Sequence, residues 1–208
     1  MIRVAVMGYG TVGSGVVEII DRNKKEVNAA SKDEVSVKYI LDLRDFPGDP
    51  HKDLFIKDYK ILVDDPEVDI VVEALGGIEL AYKFTKEALL NGKSVVTSNK
   101  AVVAEHGVEL LKIAKEKNCS YLFEASVGGG IPILRPLNTS FLGEHIVGIT
   151  GILNGTTNYI LTKMTDLGLD YHDVLKDAQA KGFAEADPTA DVEGIDVANK
   201  LSILMALA

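Results

Sequence analysis

Lys200 is the only basic residue from Val197 onward, in a stretch that is otherwise largely apolar. Glu193, Asp196 and Lys200 are spaced three and then four residues apart, which on one helix puts all three on the same face. A lysine partly desolvated there and paired with carboxylates can hold a proton poised for transfer. The alternative is an ordinary surface ion pair of about 0.3–0.5 kcal/mol. A metal is the weaker reading of these carboxylates, because no histidine joins them. A second lysine, Lys100, lies in the polar loop Ser98-Asn99-Lys100 directly after an apolar run, where ligands of open α/β sheets bind.

The third chemical feature is Gly8-Tyr9-Gly10-Thr11-Val12-Gly13, which follows the apolar run Ile2–Met7 and opens an apolar-periodic segment to about residue 28. Gly8 permits a tight turn, Gly10 lets the backbone approach a pyrophosphate, and Gly13 lets the helix pack on the sheet. The helix N-terminus with its backbone N–H groups then binds the phosphates. The motif gains weight from its setting, after a strand and at the start of a helix. Asp42 ends the next strand, where a carboxylate can bond the ribose 2′-hydroxyl of NAD; Arg44 can instead meet the 2′-phosphate of NADP. The two residues point to different cofactors, and the choice stays open.

The elements that must position these groups follow from periodicity. Apolar runs at 2–7, 35–41, 69–74, 94–97 and 120–124 read as strands, with a short element at 61–63. Helices are expected over about 11–28, 79–91 and 104–117. Strands separated by helices of this length predict an α/β, Rossmann-type, doubly wound parallel sheet. The run Val127-Gly128-Gly129-Gly130-Ile131-Pro132 marks a junction between a dinucleotide-binding domain, 1–127, and a second domain, 128–208. Beyond it a helix over 132–141, an alternating strand Ile146–Leu153, a helix after Asn154-Gly155-Thr156-Thr157, a helix capped by Asp170, and a last helix from about Asp191 predict an incomplete α+β substrate and dimerisation domain.

Composition bounds the function. The 208 residues are 47% hydrophobic and 25% charged, and 22 basic against 31 acidic side chains give a formal charge of -9. That balance disfavours nucleic acid and anionic membrane as partners and favours small-molecule chemistry. No apolar run is long enough to span a bilayer, and a cytoplasmic location is expected. The single cysteine, Cys119, allows no internal disulfide. The segment 201–208 is apolar to its last residue and lacks a cap. A helix apolar all round wants burial on all sides, so either the chain dimerises through it or, as is expected here, the native chain continues beyond it.

The segments Gly8–Gly13, Ser98-Asn99-Lys100-Ala101, Glu124–Pro132, Asn154–Leu161 and Gly182–Asp191 through Lys200 together resemble homoserine dehydrogenase, in order over the whole chain. The glycine loop alone is generic; the segments at 124–132, 154–161 and 182–200 are specific. The resemblance implies interconversion of L-aspartate 4-semialdehyde and L-homoserine by hydride transfer with NADP or NAD, in the route to threonine, methionine and isoleucine. It implies that Lys200 donates the proton, that Glu185 binds substrate, and that Asp191 and Asp196 order the substrate amino group and the lysine. Lys100 would neutralise charge at the reacting oxygen. Thr11, Val12, Ser98 and Gly182 join the implied cofactor contacts. Glu124 with the carbonyls of Val127, Gly129 and Ile131 resembles a sodium site, for which an oxygen-rich glycine turn is suited. A homodimer is implied for the full-length protein.

Two rivals differ in chemistry. An aspartate semialdehyde dehydrogenase needs a nucleophilic cysteine, and Cys119 has no activating histidine near it in sequence. A dinucleotide-binding sensor without turnover would need no Lys200.

Overall fold

The computed structural model describes residues 1–208, which separate into two units, Met1–Gly129 and Gly130–Ala208. In the first, six parallel strands, β1 (Ile2–Met7), β2 (Val35–Leu41), β3 (Phe55–Ile56), β4 (Ile70–Glu73), β5 (Ser94–Thr97) and β6 (Tyr121–Leu122), lie in the order β3-β2-β1-β4-β5-β6. This is the doubly wound arrangement, with its topological switch point between β1 and β4. Helices α1 (Thr11–Arg22), α2 (Lys24–Ser31), α3 (Tyr59–Val63), α4 (Glu79–Leu90) and α5 (Lys100–Glu116) connect the strands.

Helix α1 turns Val17 and Ile20 onto Val4, Val6, Val35, Ile40 and Val72 of the sheet, forming one buried cluster. Each such side chain contributes about 1.5–3 kcal/mol on leaving water. The single helix expected to residue 28 is broken at Asn23, whose φ of -106° and ψ of 30° lie outside the helical range. Strand β3, two residues long, is too short for periodicity to reveal.

In the second unit, α6 (Leu134–Thr139), α7 (Gly155–Leu167), α8 (Tyr171–Ala180), α9 (Thr189–Val192) and α10 (Ile195–Leu207) are joined by irregular chain. Ile160 of α7 meets Val174 and Ala178 of α8 in a small core that includes Ala184. Asp170 caps α8 as expected, accepting from the His172 N–H at 2.8 Å. Two expectations fail here. Residues 146–153 form no strand, and all six strands of the sheet belong to the first unit; an alternating pattern cannot supply the neighbour whose N–H and C=O groups a strand needs. Nor does one helix run from Asp191 to the end: Gly194, at φ 77°, separates α9 from α10, a left-handed conformation that glycine adopts without steric cost. Glu193 is therefore exposed outside α10 and does not share a helix face with Asp196 and Lys200.

No helix is long and apolar enough to cross a membrane.

Candidate functional site

Each unit carries a candidate site of its own. In the first, Gly8 has φ 91°, and a Cβ there would sit 2.6 Å from the Ala74 carbonyl oxygen. At Gly13 a Cβ would lie 1.8 Å from the Gly8 oxygen, so any side chain would force the turn apart. Around Gly10 a Cβ would meet nothing within 4 Å, which leaves the open approach a phosphate requires. Gly10 supplies no side-chain cap to α1, and no acidic residue occupies its first turn. The N–H groups at the start of this 12-residue helix, Thr11 and Val12 among them, are thus available to an anion.

Beside the loop, Asp42 accepts from the Tyr9 N–H at 2.9 Å and the Arg44 N–H at 2.9 Å. The Arg44 guanidinium grips the same carboxylate with Nε at 3.0 Å and Nη2 at 2.8 Å, and Nη2 also donates to the Tyr9 carbonyl at 3.1 Å. The Arg44 guanidinium and the two N–H donors hold Asp42 far below the usual carboxylate range, against the opposing effect of burial. The two residues read from sequence as competing ribose ligands are therefore partners. Both line a cavity of about 360 Å³ whose walls include Leu43, Leu75, Leu80 and Phe84, with Lys57 at its polar side. Lys57 Nζ donates to the Arg44 carbonyl. An apolar slot with charged groups at one side suits a base joined to a ribose.

Ser98 follows Thr97 at the carboxyl end of the sheet. Lys100 is the first residue of α5, not part of a loop, because the Asn99 side chain caps the helix by accepting from the Val102 N–H.

In the second unit, Asn154 organises the site. Its Oδ1 accepts from Thr157 N–H at 2.7 Å and Thr157 Oγ1 at 2.9 Å, capping α7. Its Nδ2 donates to Asp191 Oδ1 at 2.7 Å and Asp196 Oδ2 at 3.0 Å. Lys200 Nζ donates to Asp196 Oδ2 and to the Leu153 carbonyl, each at 2.7 Å. The Lys200 and Asp196 side chains are 18% and 8% exposed, so this pair is sheltered and is not the solvated surface pair. An ammonium has three N–H donors; two are used, and one remains. All four residues line a cavity of about 620 Å³, together with Tyr159, Phe183 and Gly182.

The sequence-derived residues Asp191, Asp196 and Lys200 are thus brought together. Glu185 is exposed and is not among the residues lining this cavity. Asn154 was missed as a site residue; its signal was an asparagine immediately before Gly155-Thr156-Thr157, an N-cap whose side-chain N–H groups still needed acceptors. Glu124 opens a short 3-10 turn, Glu124–Ser126, and Val127 is buried. Cys119 is partly buried, and burial pushes its thiol pKa up, which opposes a nucleophilic role.

Two family models match the chain: "Homoserine dehydrogenase, NAD binding domain" over residues 8–124 and "Homoserine dehydrogenase" over 132–208. The homoserine dehydrogenase of Bacillus subtilis is 46% identical over 210 residues, covering 99% of this chain and 48% of its own. The chain spans about half the length of the curated relatives it matches. The crystal structure of a homoserine dehydrogenase from Thiobacillus denitrificans superposes with a TM-score of 0.91 at 43% identity, over 99% of this chain and 48% of that one. A hyperthermophilic archaeal homoserine dehydrogenase in complex with NADPH gives 0.86 at 31% identity, over 99% and 69%.

Proposed function

The chain belongs to the homoserine dehydrogenase family, and from that premise we propose that the protein interconverts L-homoserine and L-aspartate 4-semialdehyde by hydride transfer with a nicotinamide dinucleotide. The observation that carries this reading is the Lys200 ammonium at the wall of the second unit's cavity, held by Asp196 and the Leu153 carbonyl with one N–H to spare. When bound, the nicotinamide ring supplies or accepts the hydride. The chain supplies the rest.

In the reducing direction, the remaining Lys200 N–H donates to the aldehyde oxygen as negative charge builds on it, and Lys200 gives up a proton to the new alkoxide. Asp196 fixes the lysine by its 2.7 Å contact. Asn154 holds Asp196 and Asp191 in place together, and Asp191 offers a carboxylate oxygen to the substrate ammonium. Lys100, at the carboxyl edge of the sheet, adds positive charge at the reacting oxygen by the family resemblance. Glu185 is the second substrate carboxylate by the same resemblance.

The glycine loop and the N-terminus of α1 hold the pyrophosphate, and the Asp42–Arg44 pair meets the adenosine ribose. Arg44 neutralises Asp42, which supports acceptance of NADP beside NAD. For the sodium reading, Gly128 and Gly129, a few residues after Glu124, have φ of 79° and 57°, and a glycine turn of this kind can present backbone carbonyl oxygens to a hard cation. For the homodimer, Val147 and Ile152 are 91% and 77% exposed, an apolar surface suited to cover by protein.

The test is steady-state oxidation of L-homoserine by the native-length protein with NAD and with NADP. Turnover dependent on homoserine supports the reading; cofactor binding without homoserine turnover refutes it.

A further inference from the structure

Glu73 is the last residue of β4 and therefore stands at the switch point of the sheet. It is 1% exposed, in a strand whose neighbours Val71 and Val72 are apolar. Water does not solvate this carboxylate; it is satisfied from within. Its Oε1 accepts from the Leu75 N–H at 2.7 Å, and its Oε2 accepts from Thr97 Oγ1 at 2.5 Å. Glu73 and Thr97 are register partners on β4 and β5. Thr97 Oγ1 accepts in turn from the Asn99 N–H at 2.9 Å. Asn99 caps α5 through Oδ1 and donates from Nδ2 to the Gly77 carbonyl at 2.8 Å.

One buried carboxylate thus ties the chain after β4, residues 74–77, to the chain after β5, residues 98–100. These segments form the wall of the carboxyl edge on the β4 side of the switch point, opposite the glycine loop that follows β1. Ala74 is already packed against Gly8. Resting on the functional reading above, we infer that Glu73 is a positioning residue for hydride transfer: through Thr97 and Asn99 it fixes the wall that orients the nicotinamide half of the dinucleotide and the α5 terminus bearing Lys100.

The polarity of the network makes this specific. Thr97 donates its hydroxyl hydrogen to Glu73 and receives from Asn99. In Glu73→Gln, the amide oxygen can still accept from Leu75, but the amide nitrogen faces Thr97 as a donor. The Thr97 hydrogen then has no acceptor, and the link to Asn99 must rearrange. The pyrophosphate and adenosine ends are held elsewhere, by the glycine loop and Asp42, so overall cofactor affinity is not where the change falls.

The experiment compares Glu73→Gln, Thr97→Val and Thr97→Ser with wild type in the native-length protein. It follows NADH fluorescence titration, thermal unfolding, and kcat with homoserine. Glu73→Gln and Thr97→Val should lower kcat by at least about tenfold and reduce the fluorescence enhancement of bound NADH. Their Kd for NADH should stay within about threefold of wild type, and Thr97→Ser should restore both readouts. Unchanged kcat and enhancement overturn the inference. So does a loss of folding and affinity in proportion to activity, which marks a merely structural residue. If wild type does not turn over homoserine, the functional reading falls, and the fluorescence comparison still decides whether Glu73 orients the nicotinamide.

Discussion

Asn154 and Asp196 are 42 residues apart in the chain and are joined by a 3.0 Å hydrogen bond inside the second unit. The same asparagine caps α7, so one 5%-exposed side chain fixes both the start of a helix and two acidic groups of the candidate site. Asn154→Ala removes the cap and leaves Asp196 without one of its donors. The expected cost is about 1–3 kcal/mol in urea unfolding of this unit, with a fall in kcat. Asn154→Asp, which keeps the cap but puts a third carboxylate against Asp191 and Asp196, should also lower activity.

Gly10 and Gly13 separate folding from binding. Gly13→Ala drives a methyl group into the Gly8 carbonyl and should destabilise the first unit, lowering its unfolding midpoint. Gly10 has φ -86° and open space around it, so Gly10→Ala should unfold within about 0.5 kcal/mol of wild type. Its cofactor Kd should nevertheless rise by at least about tenfold, because the methyl group occupies the approach of the pyrophosphate. Calorimetry with NADH or NADPH checks both.

If the Asp42–Arg44 pair meets the cofactor's ribose as proposed, it sets the response to NAD and NADP. Arg44→Ala should weaken NADPH more than NADH, since it removes the only cation paired with Asp42 and exposes the 2′-phosphate to that carboxylate. Asp42→Asn should shift preference toward NADPH. The depressed pKa of Asp42 adds a pH dependence with a defined sign: its stabilisation is complete above the ordinary carboxylate range and is lost as pH falls through and below that range. Asp42→Asn should therefore flatten acid unfolding of the first unit.

His51 bridges α1 and the chain after β2, with Nε2 at 2.5 Å from Asp21 and Nδ1 at 3.1 Å from Asp49, which itself accepts from the Tyr9 hydroxyl at 2.9 Å. The hydrogen bond to Asp21, aided by that to Asp49, raises the His51 pKa despite burial. A raised histidine pKa contributes stability that is complete below the unfolded value near 6.5 and is lost as pH rises through the folded value. Asp21 is half exposed, so the contribution should be under about 1 kcal/mol. Urea midpoints of wild type should fall from mildly acidic to mildly alkaline pH, and His51→Gln should remove that slope.

The first unit was largely legible in the sequence, because the glycine loop, the strand runs and the helix lengths are local signals that one sheet topology satisfies together. Asp196 and Lys200 were legible from their types and spacing, whereas the same spacing wrongly added Glu193, which Gly194 separates from their helix, and Asp191 came from the family resemblance alone. Asn154 was not, since its acceptors lie 37 and 42 residues away. Glu73 was hidden by its setting: within an apolar strand a lone glutamate reads as a strand end, and its partners on β5 become visible only in register. Residues 146–153 carry a strand's alternation, yet pairing depends on a neighbour that the pattern does not contain. Gly194 broke the last helix at a position where periodicity alone ran on.

The role of Lys200 is tested most directly by kcat for homoserine oxidation in Lys200→Ala, taken beside the Kd for NADH or NADPH. If Lys200 is the proton-transfer group, kcat should fall by about 10²-fold or more while the cofactor Kd stays at its wild-type value, because the dinucleotide site lies in the first unit. Full turnover in Lys200→Ala would show that Lys200 is not the proton-transfer group.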